Sequence, residues 1–242
     1  MVDNQVRPGI ESLPQVGGRG SVAGDVTRVL RRAILVGAFA EGEHLSLGQL
    51  AAQLGVSMMP VREALVGLAN EGLVVNEPNK GFRATPLGQQ DLDDVYALHA
   101  HISGLLAERA APVITDNDLS TLKEIHGEFE RAAEGLDLSV SHQVLEELNN
   151  KFHRYLNGIG EGTRLRWFLR LTSRLMGYVN VDGWCGTTLQ EHPKIVAALE
   201  AKDGPRAARL VEDHFLHGAT LVRRGQTSQD AVQAGGREEP GR

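Results

Sequence analysis

Residues 49–65 carry the pattern that decides the fold of the N-terminal half, and they read Gln-Leu-Ala-Ala-Gln-Leu-Gly-Val-Ser-Met-Met-Pro-Val-Arg-Glu-Ala-Leu. The apolar spacing predicts a short helix over residues 47–54, with Ser46 as its N-cap. Gly55-Val56-Ser57 then predicts a tight turn. Pro60 fits the first turn of a following helix that runs to about Asn70, because the missing N–H of proline costs nothing at that position.

The segments on either side of this stretch complete a recognisable order. A helical run spans residues 22–36, and short strands are predicted at 73–75 and 82–84 around the turn-rich tip 78–81. We predict a winged helix-turn-helix domain over residues 21–86. Such a domain has the order found here, which is helix, short helix, turn, helix and hairpin. In such a domain the third helix enters the DNA major groove, where its exposed N-terminal residues reach base edges.

The rest of the chain predicts an antiparallel bundle of six helices without a convincing strand, so the fold class is mainly α. The helices are expected near residues 89–111, 116–134, 139–159, 162–180, 187–201 and 204–223. Pro112 and Gly204-Pro205 are among the residues that separate them. We expect the bundle to span residues 87–223, and residues 1–20 and 224–242 to be unstructured tails because they bury too little apolar surface.

The composition excludes several classes of protein. With 41% hydrophobic and 23% charged residues, the 242-residue chain is not disordered as a whole. The single cysteine, Cys185, excludes a disulfide framework and a Cys-based zinc ribbon. No apolar run approaches the ~18 residues of a spanning helix, and residues 1–20 lack the order of a signal peptide. We therefore expect a cytoplasmic protein with no membrane partner.

Charge and histidine are distributed unevenly along the chain. Residues 21–86 carry six Lys/Arg and six Asp/Glu, whereas residues 87–223 carry 14 Lys/Arg and 20 Asp/Glu, which accounts for the formal charge of −6. Eight of the nine histidines lie at or after His99. This asymmetry indicates that the two halves do different jobs.

The N-terminal motif resembles the DNA-binding domain of the GntR family of transcription regulators. The resemblance covers about residues 25–86 and rests on the string Leu-Gly-Val-Ser-x-x-Pro-Val-Arg-Glu-Ala-Leu at 54–65, with Glu-Gly-Leu-Val at 71–74 and Gly-Phe at 81–82. It implies that Ser57 and Arg62 contact DNA. It also implies that Lys80 and Gly81, at the tip of the wing, lie on the DNA backbone or minor groove.

Three features depart from that family pattern. Met58 stands where many relatives carry Arg or Lys, Gly48 replaces a basic residue, and the domain is neutral overall. Because non-specific phosphate binding needs several cations, discrimination should depend on Arg62 and on contacts of Met58 or Met59 with thymine methyl groups. The alternatives are a winged helix used for protein contacts and an Arg62 that merely pairs with Glu63 or Glu43.

Four residues of the C-terminal half form a candidate metal site. Asn149 and His153 are four residues apart on one predicted helix, a spacing that lets two side chains share one ion, and His192 and His214 lie on later helices. Three imidazoles and an oxygen suit Zn²⁺ or Ni²⁺. Since the histidines are separated by 39 and 22 residues, the spacing alone favours ordinary surface or core histidines.

A second resemblance changes that interpretation. Leu-Asn-x-x-Phe-His at 148–153, Glu-His-x-x-Ile at 191–195 and the later His214 are similar to the FCD effector-binding domain of the FadR subgroup, in its six-helix, VanR-like form. The resemblance covers roughly residues 91–223. It implies that Asn149, His153, His192 and His214 hold a divalent metal ion. Many relatives have Asp at the position of Asn149, so the site here is less able to neutralise a dication.

The effector pocket implied by the resemblance also departs from the family. His99 and Ser103 occupy the register in which relatives often show an Arg and a Glu, and the Arg commonly faces the effector. Arg166, Arg170 and Arg174 recur every four residues. They are either a solvated basic stripe or, as we weigh for Arg170, a source of bidentate contact with a bound carboxylate.

Three functions compete at this stage. The first is a transcription regulator, expected to be a repressor, that binds a palindromic double-stranded operator as a homodimer and responds to a small carboxylate effector near the metal. The second is a metal-dependent enzyme that uses the His cluster, although no general base, nucleophile elbow or phosphate loop accompanies it. The third is a metal-responsive regulator in which the ion itself is the effector.

Overall fold

The computed structural model divides the chain into two compact units, Met1–Gly88 and Gln89–Arg242. It describes Leu13 and residues 21–134, 138–176 and 184–235, except the side chains of 138–143 and 223–235. Most of the expected N-terminal tail and the last seven residues therefore lie outside the described part of the chain.

The N-terminal unit is a winged helix-turn-helix, as the sequence predicts. Its elements are α1 (Val22–Leu35), β1 (His44–Leu45), α2 (Leu47–Leu54), α3 (Met58–Asn70), β2 (Val74–Glu77) and β3 (Gly81–Ala84). The antiparallel sheet has the order β1-β3-β2, with Val74 opposite Ala84 and His44 opposite Arg83. Strand β1 is not in the sequence prediction, because two residues are too few to show an alternating pattern.

Local signals set the ends of these helices. The Ser21 hydroxyl accepts a hydrogen bond from the Gly24 N–H at the start of α1, and Ser46 does the same for Gln49 at the start of α2. Gly55 ends α2 with φ of 69°, a left-handed conformation that side chains other than glycine rarely adopt. The turn at Gly55 therefore sets the direction in which α3 leaves α2.

One ion pair ties the first helix to the end of the third. The Arg31 guanidinium donates to both carboxylate oxygens of Glu71, from Nε at 2.7 Å and from Nη2 at 2.8 Å. Both side chains are largely buried, with 16% and 15% of their surface exposed. Glu71 follows α3 directly, so this bidentate contact fixes the helix that carries the candidate DNA-binding residues.

The C-terminal unit is a helical bundle, which also agrees with the prediction. In its described part the elements are α4 (Gln89–Ala110), α5 (Asp116–Glu134), α6 (Leu138–Ile159), α7 (Thr163–Leu175), α8 (Trp184–Glu200) and α9 (Gly204–Gly235). Its main core joins Ala107 of α4, Leu122 of α5 and Phe152 of α6 to Leu199 of α8 and Val211 of α9. Two smaller apolar clusters add to this core. One joins α4 to α7 through Leu106 and Leu169, and the other includes Phe129 of α5 and Trp184 of α8.

The C-terminal helix is longer than predicted. We expected residues 224–242 to be unstructured, but the backbone of α9 is helical as far as Gly235. Once a helix is nucleated, each added residue gains a hydrogen bond for a small entropic cost, and residues 226–233 contain neither Pro nor Gly to end it. The small number of apolar residues here predicts little burial, but it does not predict the loss of helical backbone.

Arg31→Ala should destabilise the N-terminal unit by about 2 kcal/mol, because it leaves a largely buried carboxylate without its partner. Urea unfolding of the full chain measures the change. The matched control is Arg28→Ala on the same helix, since Arg28 pairs with Asp25 at an exposed position where such a pair stabilises by less than about 1 kcal/mol. Equal losses in the two variants would contradict the role assigned to Arg31.

Candidate DNA-binding surface and metal centre

The first turn of α3 presents its side chains to solvent. Ser57 is the N-cap but makes no side-chain cap hydrogen bond, and Met58 and Met59 are 58% and 65% exposed. The opposite side of α3 is buried through Val61 and Leu65. The start of the helix therefore offers unpaired backbone N–H groups, a hydroxyl and two apolar side chains to an incoming partner.

Arg62 lies one turn further along the exposed side of α3. It makes no hydrogen bond or ion pair with any residue that the structure describes, whereas Arg28, Arg31 and Arg83 of the same unit are all paired. Glu43, considered as its partner, instead accepts the Ala40 N–H at 2.8 Å. Arg62 thus keeps its guanidinium available.

The wing is the hairpin between β2 and β3. Its tip has two residues in left-handed conformations, Asn79 with φ of 62° and Gly81 with φ of 85°. Lys80 is exposed between them, and its Nζ lies 4.0 Å from the Glu77 carboxylate. A Cβ on Gly81 would lie 3.1 Å from the His44 ring, so glycine suits this position both conformationally and sterically.

Three histidines predicted as metal ligands converge inside the bundle. His153 of α6, His192 of α8 and His214 of α9 each offer a ring nitrogen, and these three atoms lie within 4.8 Å of one another. His153 Nε2 and His214 Nε2 are 2.9 Å apart. Two nitrogens bound at ~2.1 Å to one ion would be about 3.4 Å apart in tetrahedral geometry and about 3.0 Å apart at a right angle. The spacing therefore fits a shared metal ion.

A carboxylate outside the trio orients one of its rings. Glu191 Oε2 accepts from His214 Nδ1 at 2.8 Å, and Glu191 Oε1 accepts from the exposed His217 at 2.5 Å. Burial raises the pKa of Glu191, but the hydrogen bonds from the two histidines outweigh burial and leave that pKa below its usual value. A charged Glu191 fixes the proton of His214 on Nδ1, so the Nε2 lone pair points toward His153.

The other two rings are kept neutral by burial. Desolvation, and then the neighbouring histidines, lower the pKa of His153 and of His192 well below the usual value. The His192 ring stacks on Phe152 with centroids 3.9 Å apart, yet both of its nitrogens are buried without a hydrogen-bond partner. Neutral imidazole is the form that binds metal, and an unpartnered buried nitrogen is costly unless a ligand uses it.

Two buried oxygens near the trio also lack partners. Asn149 Oδ1 lies one turn before His153 on α6, and Thr188 Oγ1 lies one turn before His192 on α8. Asn149 is the oxygen ligand implied by the family resemblance, and the orphaned atom suits that role. Thr188 is not among the residues that sequence reasoning identified, although its spacing from His192 equals that of Asn149 from His153. These orphaned atoms, together with the trio, make a polar interior that fits a bound dication.

The expected effector residues fall in different places. His99 is buried beside the cluster, with its Nδ1 2.7 Å from Thr172 Oγ1, and burial lowers its pKa to about 4. Ser103 is fully buried and its hydroxyl has no partner. Arg170, by contrast, is exposed, because α7 turns Leu169 and Thr172 inward. The structure does not bring Arg170 to the cluster, since a spacing of four residues does not show which side of a helix is buried.

The charge of this interior is unusual for a site that would hold an acid. Among the described residues of the C-terminal unit, every Lys and Arg is outside the buried set, which contains only His, Ser, Thr and Asn as polar residues. The described interior of the C-terminal unit therefore holds no buried lysine or arginine.

Metal-free protein should lose stability as pH falls from 6.5 toward 4, by up to about 3 kcal/mol from His99 alone. The unfolded chain takes up a proton at the ordinary pKa of 6.5, whereas folded His99 stays neutral down to about 4, so the full stability is present only above 6.5. Urea unfolding in chelator across this range measures the slope.

His99→Gln removes the titrating group but keeps an amide donor for Thr172, so its slope should be shallower than that of the parent. If His99→Gln retained the full slope of the parent, the buried neutral state of His99 would be disproved.

Comparison with known proteins gives the family. Residues 23–83 match the family described as "Bacterial regulatory proteins, gntR family", and residues 94–217 match the "FCD domain". The chain is 28% identical over 193 residues to the uncharacterized HTH-type transcriptional regulator YdhC of Bacillus subtilis, which covers 78% of this chain and 85% of that protein. It is 27% identical over 208 residues to the HTH-type transcriptional repressor RspR of Escherichia coli, covering 82% and 87%.

Among solved structures, E. coli McbR/YncC has the same fold, with a TM-score of 0.65 at 22% identity over 86% of this chain and 99% of that one. In the described part of the chain, no helix is both long and apolar enough to cross a membrane. The chain belongs to the GntR family of bacterial regulatory proteins and carries an FCD domain, and it is a DNA-binding transcription regulator rather than an enzyme.

Proposed function

We propose that the protein is a ligand-responsive repressor that binds a palindromic operator as a homodimer. Its effector is a small organic acid that binds beside a divalent metal ion in the FCD domain. The observation that carries the proposal is the combination, in one chain, of an unpaired exposed Arg62 on α3 with a buried trio of histidines in a separate unit. The name of the relative RspR, a transcriptional repressor, supports the direction of regulation.

On the DNA side, α3 is the recognition helix. Arg62 is the unpaired cation and reads a guanine or holds a phosphate, Met58 and Met59 contact thymine methyl groups, and Ser57 hydrogen-bonds at the groove edge. Lys80 and Gly81 place the wing against the backbone. A homodimer is required because a two-fold operator is read by two such helices about 34 Å apart, one turn of DNA.

On the effector side, His153, His192 and His214 hold the ion, and Asn149 adds a neutral oxygen. The bound ion, Zn²⁺ or Ni²⁺, supplies positive charge and open positions for a ligand. Because the imidazoles and the amide are uncharged, and Glu191 lies behind His214 rather than at the ion, a carboxylate is the natural further ligand. His99 and the Ser103 hydroxyl provide hydrogen bonds for its remaining polar groups.

Regulation follows from linkage between the two sites. An acid that binds one dimer geometry better than the other shifts DNA affinity by the difference between its two binding free energies, typically about 1–3 kcal/mol. Operator binding measured with zinc alone and with zinc plus candidate acids separates this mechanism from metal sensing. A change with the acid supports the proposal, whereas a change with zinc alone that no acid modifies would replace it with a metal-responsive regulator.

Arg62→Ala should weaken operator binding by about 1–3 kcal/mol, since it removes a guanidinium that spends none of its hydrogen bonds within the protein. Fluorescence anisotropy with the full palindrome and with a half-site measures the loss. Arg28→Ala is the matched control, because Arg28 already pairs with Asp25. An Arg62→Ala affinity equal to that of the parent, or equal parent affinities for palindrome and half-site, would contradict this arrangement.

His153→Ala and His214→Ala should each lose bound metal by elemental analysis and lower the melting temperature of zinc-loaded protein. Binding at 100 times Kd stabilises by about 2.7 kcal/mol, which these variants forfeit. They should also blunt the response to the acid while leaving operator binding intact. His101→Ala is the exposed control. If the parent contains no stoichiometric metal and chelator leaves its melting temperature unchanged, the trio is a metal-free polar interior.

Asn149→Asp tests the charge argument separately. A carboxylate at this position should tighten zinc binding by neutralising part of its charge, and should weaken the binding of the acid for the same reason. Calorimetric titration with zinc, and then with acid, measures both effects. If Asn149→Asp bound both zinc and the acid more tightly than the parent, the net charge at the metal would not control the affinity for the acid.

A further inference from the structure

A surface pocket lies between α5 and α8, on the side of the bundle next to His192. It has a volume of about 280 Å³ and is lined by residues that include Lys123, His126, Glu130, Pro193 and Glu200; we call it the α5–α8 pocket. Lys123 Nζ lies 3.2 Å from Glu200, so this pair is largely compensated. Glu130 is left as the excess charge, and the pocket is therefore attractive to a cation.

His126 lines this pocket and is unlike an ordinary surface histidine. It is 7% exposed, and both of its ring nitrogens are buried without a hydrogen-bond partner. Its Nε2 is 3.4 Å from Glu130 Oε1, within ion-pair range but not a hydrogen bond. Neither nitrogen is committed to a hydrogen bond within the described part of the chain, so either can serve as a ligand atom.

The His126 ring also contacts a member of the metal trio. Its centroid is 5.4 Å from that of His192, whose two nitrogens are likewise unpartnered. His214 is fixed by Glu191, but His192 is held only by packing, chiefly against Phe152. Neither His126 nor His192 is therefore held in place by a hydrogen bond within the described part of the chain.

The wall of the pocket next to His192 is weakened as well. Pro193 lies inside α8, where it has no N–H to donate to the carbonyl of Leu189. The turn of α8 that carries His192 thus has one hydrogen bond fewer than a regular helix, and a small opening of that turn is less costly.

We infer that the α5–α8 pocket is the route by which the metal ion reaches and leaves the trio, with His126 as the ligand that receives it at the inner end. Glu130 attracts the hydrated cation, a His126 nitrogen binds it as water is lost, and His192 accepts it from there. This inference rests on the proposed metal site. It assigns a kinetic role to His126, which is absent from the ligand set implied by the family resemblance.

The experiment measures zinc exchange on the full-length protein. Uptake of zinc by chelator-treated protein is followed by stopped flow with a colorimetric zinc indicator, release is followed by adding excess chelator, and the equilibrium Kd is measured separately. His126→Phe keeps an aromatic ring against Phe129 and His192 but removes the ligand nitrogens. Glu130→Gln removes the charge at an exposed position that does not affect folding of the core.

His126→Phe should slow uptake and release by the same factor, at least about tenfold, and leave Kd unchanged, because a residue used only in transit alters the barrier and not the end states. Glu130→Gln should also slow zinc uptake, but by a smaller factor than His126→Phe does. Glu128→Gln is the matched control, since it lies on the same helix and pairs with Lys151 away from the pocket.

If the parent binds zinc but His126→Phe and Glu130→Gln exchange it at the rates of the parent, the proposed route is wrong while the metal site stands. Two zinc ions per parent chain and one per His126→Phe chain would also overturn the route, by making His126 part of a static second site. A parent that takes up no zinc would overturn the metal site itself and the route with it.

Discussion

Three buried imidazole rings meet in the interior of the C-terminal unit, and the packing of the surrounding helices has to bring them together. The rings come from α6, α8 and α9, so three helices must be held in one register for their nitrogens to lie within 4.8 Å. Burial keeps His153 and His192 neutral, which removes the repulsion that three imidazolium ions would feel. Glu191 then sets the tautomer of His214. Burial in the core thus keeps His153 and His192 neutral, and the hydrogen bond to Glu191 orients the ring of His214.

The register depends on close approach between helices. Gly160, just after α6, lies where a Cβ would be 2.6 Å from the Leu106 carbonyl of α4, so only glycine lets the two backbones come this near. Gly104 of α4 faces the Glu212 side chain of α9, which a Cβ would meet at 2.7 Å but which is flexible enough to move. The tight backbone contact is therefore the one at Gly160, where a larger side chain would push α4 away from the end of α6.

Helical periodicity was sufficient to predict the helices of both units, because amphipathic helices repeat every 3.6 residues and their ends carry Ser, Gly and Pro, but it gave no sign of the two-residue strand β1. It did not show which face of α7 is buried, and the structure leaves Arg170 on the exposed face. The trio could not be derived from separations of 39 and 22 residues, and required the family resemblance. Glu191 stood beside His192 in the sequence, but an adjacent residue points away along a helix, and only the return of α9 brings His214 to it.

In the mechanism that we propose, the weak net charge of the DNA-binding unit is what allows an effector to control DNA affinity. Six cations and six anions cancel over residues 21–86, so phosphate attraction adds little binding that is independent of sequence and geometry. In the dimer that we propose, affinity then depends on both copies of α3 reaching their half-sites together, one turn of DNA apart. A strongly basic domain would stay on DNA when that spacing is lost, held by phosphates alone. A neutral one does not, so an acid bound at the metal needs only a modest preference between dimer geometries to release the operator.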